Sequence, residues 1–357
     1  MSTRTLRILL VANDGASAGH VMRVLAVARG LSRQAEQRGF TPALLLATTS
    51  EAHQLGSEQV AVVRLPAPVA GRRAGLTDVE RRRITGAALE SVADAFGPDL
   101  LVVDTFPSGP HGELAGLLST GRMPSRAKRA IVRRSLPLEV ADHPTVARGL
   151  DRYDLAIVAD DPYRDETLRL PLRTVHVPPI TLTEPADAES RDLARARFEV
   201  PRGMRAVLVA AGGGADQEAE QYAARIVKLV KKAGTDVFPI SVTGPLASGP
   251  GGVRVAPMAP WLAAFDGAFS AAGYNTSHEL VKAGIPSALF AMPRPFDDQA
   301  ARVQRFARAS LAFPLERFDE ESLREAMAWI DGAPRVGLPS GGADEAARAL
   351  LELVGAT

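Results

Sequence analysis

Short apolar runs alternate along the chain with stretches in which apolar residues recur every three or four positions. Arg7–Ala12 reads as a buried strand, and the segment after it, His20–Arg38, carries Val21, Leu25, Ala28 and Leu31 at helical spacing. Ala43–Ala47, Val60–Arg64, Leu100–Val103, Ala130–Arg133 and Leu155–Val158 are further short apolar runs. Strands that are apolar at consecutive positions are buried on both faces, as in a parallel sheet covered by helices. Residues 66–76, rich in Pro, Ala, Gly and Arg, interrupt the alternation and read as a mobile loop placed to cover a substrate. Between Val177 and Arg191, Pro178, Pro179 and Pro185 mark a linker, after which the pattern restarts.

The second half offers strands at Ala206–Ala210, Val237–Val242, Val253–Ala256, Gly267–Phe269 and Ser287–Phe290, with helices near 216–233, 276–283, 298–308 and 319–331. A final amphipathic helix, Ala343–Val354, follows a stretch rich in Gly, Pro and Ser. The fold class is therefore α/β, with two Rossmann-like doubly wound domains, residues 1–180 and 190–340. Residues 341–357 form a terminal helix expected to cross back onto the first domain. Open α/β sheets bind ligands at the carboxyl ends of their strands, so two of them are expected to face each other across a cleft, each holding one reactant.

A chain of 357 residues suits two domains of ordinary size, and 46% apolar with 23% charged residues is a globular composition. The absence of cysteine excludes disulfides, thiolate nucleophiles and cysteine metal sites. No apolar run reaches the roughly 20 residues of a membrane helix, and Met1–Arg7 leads directly into the first strand without a leader pattern, so a cytoplasmic protein is expected. A net charge of +1 argues against nucleic acid as a partner. Arg72-Arg73, Arg81-Arg82-Arg83 and Arg133-Arg134 read first as solvated helix faces, with peripheral contact to an anionic lipid surface as the alternative.

Candidate chemistry falls at the predicted strand ends. In Gly15-Ala16-Ser17-Ala18-Gly19-His20, small residues let a substrate approach the backbone, and His20 lies at a helix start, where the dipole disfavours the imidazolium and keeps a general base neutral. The bland reading is a turn with a half-buried histidine. Ser17 also matches a Gly-x-Ser-x-Gly nucleophile elbow, although that motif normally follows several earlier strands. Asp104 ends a strand, where it orients His20, acts as a base itself, or caps the turn. Gly212-Gly213-Gly214 cradles a phosphate or makes a tight turn. Within 268–304 a strand, the Gly273 turn and a helix opened by Thr276 aim backbone amides at one point. Glu279 stands three residues after Thr276, the spacing of a capping box, and competes between that role and a ribose contact. Asp298 and Gln299 serve sugar hydroxyls, or the acidic pair Asp297-Asp298 simply favours the next helix. The six histidines show no metal-ligand spacing, and neither a dinucleotide fingerprint nor a Walker lysine is present.

The pairing of Gly19-His20-x-x-Arg23 with Ala272-Gly273-Tyr274-Asn275-Thr276-x-x-Glu279 resembles the two-domain GT-B glycosyltransferases of family 28, which include the lipid-II N-acetylglucosaminyltransferase. More closely it is similar to the group labelled predicted glycosyltransferases. Val102–Gly109 with Gly112-Glu113-Leu114, Tyr153-Asp154 with Asp161-Pro162, and Met292-Pro293-Arg294 before Asp298-Gln299 and Arg302 fit that group in order. The resemblance covers most of the chain. It implies an inverting, metal-independent transfer from a nucleoside diphosphate sugar, most often a UDP-sugar, to a small-molecule, lipid-linked or natural-product acceptor. His20 would be the base, supported by Asp104. The Gly213–Gly214 and Gly273–Thr276 amides, Asn275 among them, would hold the diphosphate, Glu279 the ribose, and Asp298 and Gln299 the sugar. Met258 would flank the nucleotide base, with Gly19 a further donor contact. The string Gly-His-Val-Met-Arg at 19–23 resembles instead the nucleotide-sugar hydrolases of pseudaminic acid synthesis, in which the histidine activates water. The remaining readings are a non-catalytic nucleotide-sugar binding protein and, last, the Ser17 hydrolase.

Overall fold

The computed structural model describes residues 4–13, 18–50, 59–119, 121–134, 136, 142–160, 170–211, 217–233, 236–243, 252–294 and 297–356. They divide into two compact units, one running to Leu182 and resuming at Gly341, the other spanning Thr183–Ser340.

In the first unit the strands are β1 (Arg4–Ala12), β2 (Phe40–Thr48), β3 (Val60–Arg64), β4 (Leu100–Asp104), β5 (Lys128–Arg134), β6 (Leu155–Ala159) and β7 (Thr174–Val177). Its helices are α1 (Gly19–Gln37), α2 (Pro68–Arg73), α3 (Asp78–Phe96), α4 (Ala115–Ser119) and α5 (Pro144–Ala147). The strands pair in parallel in the order β3-β2-β1-β4-β5-β6-β7. Right-handed crossovers put α1, which leads outward from β1 to β2, and α3, which leads back from β3 to β4, on opposite faces. Leu9, Val11, Leu101, Val103 and Ile131 meet Leu89 and Ala93 of α3 and Leu114, Leu117 and Leu118 in one apolar layer.

The second unit repeats the plan with α6 (Arg191–Arg197), β8 (Arg205–Ala210), α7 (Gln217–Ala233), β9 (Val237–Thr243), β10 (Val253–Arg254), β11 (Gly267–Ala271), α8 (Tyr274–Lys282), β12 (Ser287–Phe290), α9 (Gln299–Arg308), β13 (Phe313–Pro314) and α10 (Glu320–Gly332). Its sheet is parallel in the order β10-β9-β8-β11-β12-β13. Strand order reverses between β1 and β4 in one sheet and between β8 and β11 in the other. Each reversal opens a crevice at the carboxyl ends of the two strands.

The terminal helix α11 (Gly342–Leu353) packs along α1 and over β6 and β7 of the first unit. Gly30 allows the approach, because a Cβ there would stand 2.9 Å from the Ala343 carbonyl oxygen and 3.1 Å from Ala347 Cβ. Arg33 pairs with Asp344, and Arg38 Nη1 donates to the Ala356 carbonyl at 2.7 Å. Gly342 is tighter still, its missing Cβ falling 2.1 Å and 2.7 Å from the carbonyl oxygens of Pro178 and Pro179. Gly342→Ala is therefore expected to cost about 1–3 kcal/mol through overpacking. A thermal melt should show a Tm several degrees lower, with loss of amide protection concentrated in α11.

Two expectations need correction. Residues 66–76 are not a loop throughout: Pro68–Arg73 form α2, with proline supplying the helix start and Gly71 packed near the Arg81 side chain. The arginine runs are not uniformly solvated either. Arg72, Arg73, Arg82 and Arg83 are exposed, but Arg81 faces inward from α3 and Arg133 and Arg134 are buried in β5. A single-residue charge count does not register that strand neighbours point to opposite faces, both of them covered here.

Candidate active site

At the β1–β4 crevice, β1 delivers the chain to α1 and β4 ends on Asp104. Thr105 turns the chain at φ 56, and the Phe106 amide donates back to the Asp104 carbonyl at 2.6 Å. His20 and Arg23, three residues apart in the first turn of α1, project from the same helix face. His20 Nδ1 donates to Asp104 Oδ2. Arg23 clamps the same carboxylate with two bonds, Nε to Oδ1 at 2.7 Å and Nη2 to Oδ2 at 3.0 Å, and its Nη2 also reaches Thr105 Oγ1 at 3.2 Å. The Asp104 side chain is wholly buried and that of Arg23 is 2% exposed, whereas 15% of the His20 side chain remains open. Burial alone would raise the Asp104 carboxyl, but the Arg23 and His20 charges and their hydrogen bonds outweigh it and hold the group well below the usual carboxylate range. A fixed carboxylate on Nδ1 sets the tautomer, making Nε2 the basic nitrogen, and stabilises the imidazolium once that nitrogen takes a proton. The Phe106 ring lies 5.5 Å from the imidazole, centroid to centroid.

Sequence reasoning carried Arg23 only as part of a string. Its distance of three residues from His20 on a helix was the available signal for a shared partner. Ser17 lies outside the described residues, as do Gly213 and Gly214 in the second unit and Asp161-Pro162 in the first.

In the second unit β11 leads through Ala272 to Gly273, the N-cap of α8 with extended backbone, φ −60 and ψ 145. The first intrahelical bond runs from the Ser277 amide to the Gly273 carbonyl at 3.0 Å, so the amides of Tyr274, Asn275 and Thr276 form the helix's N-terminal end. This corrects the expected helix start. Thr276 is the third helical residue rather than the cap, and the capping box with Glu279 does not form, because Gly273 takes the extended conformation that begins the helix three residues earlier. Arg302 of α9 braces the turn, donating through Nη1 to the Ala272 carbonyl at 2.8 Å and through Nη2 to Asp297 Oδ1 at 2.9 Å, with its guanidinium over the Tyr274 ring.

Glu279, partly buried, lies one turn from Lys282, whose Nζ donates to both oxygens of Glu184 at 3.1 and 3.2 Å. Burial, with Glu184 adding to it and Lys282 opposing, pushes the Glu279 carboxyl up to about 7. Asp298 is exposed and caps α9, accepting from the Ala301 amide at 2.9 Å. Gln299 is buried: its Oε1 accepts from the Met292 amide at 3.0 Å and its Nε2 donates to Asp297 at 3.3 Å. Met258 precedes the turn at Ala259–Ala264 and is half-buried against the core. Gly19 opens α1 beside His20. The structure thus joins His20 with Asp104, and places Gly273, Asn275, Thr276 and Glu279 within the N-cap and first two turns of α8. Among the described residues no group of three or more His, Asp or Glu side chains is placed to hold a metal ion, and no helix is long and apolar enough to cross a membrane.

No protein-family model matches the chain, and no curated protein matches it by sequence. Solved structures do match along its length. Spinosyn rhamnosyltransferase SpnG complexed with thymidine diphosphate is 17% identical, over 98% of this chain and 96% of that one, with a TM-score of 0.58. Glycosyltransferase VinC in complex with dTDP is 15% identical over 98% and 95%, TM-score 0.58, and the calicheamicin glycosyltransferase CalG4 is 17% identical over 98% and 94%, TM-score 0.57. With its two parallel doubly wound units, the chain has the GT-B glycosyltransferase fold.

Proposed function

We propose that the protein is a glycosyltransferase that moves a sugar from a nucleoside diphosphate to an acceptor hydroxyl with inversion and without a required metal. The observation that carries this reading is the Arg23–Asp104–His20 relay at the strand-order reversal of the first sheet. In the proposed reaction His20 Nε2 takes the hydroxyl proton as the acceptor oxygen bonds to the anomeric carbon, and the bond from that carbon to the diphosphate breaks. The electron pair leaves on the phosphate oxygen, where the amides at the α8 N-terminus stabilise it as fixed dipoles. Glu279 is the proposed ribose contact, Asp298 and Gln299 are the proposed sugar contacts, Gln299 requiring release of its bonds to the Met292 amide and Asp297, and Met258 is the proposed neighbour of the base. Gly213 and Gly214 remain candidates for the diphosphate. The thymidine diphosphate in two matched structures favours a pyrimidine donor, UDP or TDP.

Thermal shift against a panel of nucleoside diphosphates and their sugars tests the donor. A ligand at a hundred times its Kd adds about 2.7 kcal/mol of stability. If no nucleotide raised Tm, the reading would be wrong. Sugar release from the preferred donor without any acceptor would mark water as the acceptor, as in the hydrolases that the string at 19–23 resembles.

Glu279→Gln is expected to raise the donor KM with a smaller effect on kcat. It should also alter the pH dependence of stability. A carboxyl whose folded pKa lies above its unfolded one stabilises the fold fully below about pH 4 and loses that contribution as pH rises through about 7. Urea titrations of the nucleotide-free protein should show this decline, and Glu279→Gln should flatten it.

A further inference from the structure

The first unit buries a second polar group of residues, on the other face of its sheet from Asp104. Strand residues two apart share a face, so Arg133 follows Ile131, and Asn13 follows Val11, onto the side that α3 covers. From α3, Arg81, Thr85, Leu89 and Ala93 turn inward, the first two lying toward the helix's N-terminus. The β4–β5 register, in which Asp104 stands opposite Val132, continues with the Thr105 amide donating to the Val132 carbonyl at 2.8 Å. Arg133 is therefore at the carboxyl edge of the sheet, beside the strand that carries Asp104, where parallel sheets receive ligands.

These side chains are buried with hydrogen-bonding capacity unmet. All three guanidinium nitrogens of Arg133 lack a hydrogen-bond partner among the described residues, as do Arg81 Nε and Nη2, Thr85 Oγ1 and Asn13 Oδ1. The Asn13 amide cannot be turned round, because its Nδ2 donates to Glu113 Oε1 at 3.0 Å, and the other oxygen of Glu113 accepts from the His111 amide at 2.9 Å. Arg81 keeps Asp78 at 3.6 Å, whereas Arg133, at 0% exposure, has no ion pair among the described residues. Burial pushes Arg133 down only to about 10, which leaves it charged at neutral pH. Donating to water would satisfy its N–H groups without supplying the opposite charge that a buried cation requires. A planar guanidinium with its donors uncommitted suits a carboxylate or a phosphate.

We propose that Arg133 binds an oxyanion, a carboxylate or phosphate monoester, carried by the acceptor substrate. Arg81 and Thr85 supply further donors on that side, and Asn13 Oδ1 accepts from a hydroxyl of the same molecule. Asn13 and Arg133 flank β4, about 10 Å apart across two strand spacings, a span that a small acidic acceptor bridges. The inference rests on the first unit being the acceptor half of the glycosyltransferase proposed above.

The test is thermal unfolding of the full chain titrated with inorganic phosphate and, separately, acetate, at ionic strength held constant with sodium chloride. It is run with and without saturating UDP or TDP, so that phosphate binding at α8 is suppressed in one arm. Wild type is compared with Arg133→Met and, as a control for exposed arginine, Arg72→Met. Wild type and Arg72→Met should show a saturable rise in Tm with the nucleotide present, and Arg133→Met should lose it while still responding to nucleotide. The stronger of the two anions distinguishes phosphate from carboxylate. No anion response in wild type, or one that survives in Arg133→Met, overturns the proposal. Should Arg133→Met fail to fold, Arg133→Gln takes its place beside the wild-type titration, with the same outcomes for and against. An anion response without any nucleotide response would overturn the donor reading and leave the Arg133 site standing.

Discussion

Replacing His20 with alanine should lower kcat by about 10²–10⁴-fold, the usual contribution of a positioned general base, while the donor KM changes little. Apart from Gly19, whose contact is through the backbone, the proposed donor contacts all belong to the second unit, so ground-state binding is expected to survive when the imidazole is lost. Asp104→Asn should reduce kcat as well. An amide presenting its N–H groups to Nδ1 would select the tautomer with the proton on Nε2, the nitrogen that has to accept one. Initial rates measured over a range of donor concentrations distinguish these effects from lost binding. Undiminished turnover in His20→Ala would remove the assigned base.

Arg23→Met should cost about 3–5 kcal/mol of stability, because it leaves the wholly buried Asp104 charge without its main partner. Acid titration adds a second readout. The folded pKa of Asp104 lies below the unfolded value, so its contribution is fully present above about pH 4 and is lost as pH falls through the folded value. In Arg23→Met that acid-side decline should shrink, since burial would then drive the carboxyl upward. Urea unfolding from pH 2 to 7 measures both effects. Equal stability of variant and wild type across this range would mean that the clamp does not hold Asp104 as described. Replacing both partners, Arg23→Met with Asp104→Leu, should recover much of the stability but not the activity.

Most of the strands that were legible in the sequence, β1, β4, β5, β6, β8, β11 and β12 among them, are continuous apolar runs that a parallel sheet buries, although the partly exposed β3 and β10 were legible too. The edge strands Thr174–Val177 and Phe313–Pro314 were missed: each is short and only partly buried, so hydrophobicity marks neither. Helix α3 was overlooked for a related reason. Its buried stripe is Arg81, Thr85, Leu89 and Ala93, polar over its first half, so the apolar periodicity covers only its second half.

The spacing Thr-x-x-Glu has opposite outcomes at Thr77–Glu80 and at Thr276–Glu279. At Thr77–Glu80 it is a capping box, with the Glu80 amide donating to Thr77 Oγ1 at 3.2 Å and the Thr77 amide to Glu80 Oε2 at 2.8 Å. At Thr276–Glu279 the helix has already begun at Gly273, and the glutamate lies by Lys282 instead. Local spacing permits a cap, but the strand before the helix decides where the first turn starts.

By itself the sequence determined the α/β class, the repeated doubly wound plan and the placing of His20, Asp104 and Gly273 at strand ends, because burial on both sheet faces and turn chemistry are written locally. Only the tertiary structure decided that Arg23 and His20 converge on one carboxylate 81 and 84 residues away, that Gln299 is engaged within its own unit, and that Arg133 is enclosed without a counter-charge among the described residues. Those outcomes depend on which strands become neighbours, and hence on the charges and dielectric each side chain meets, which no local pattern encodes.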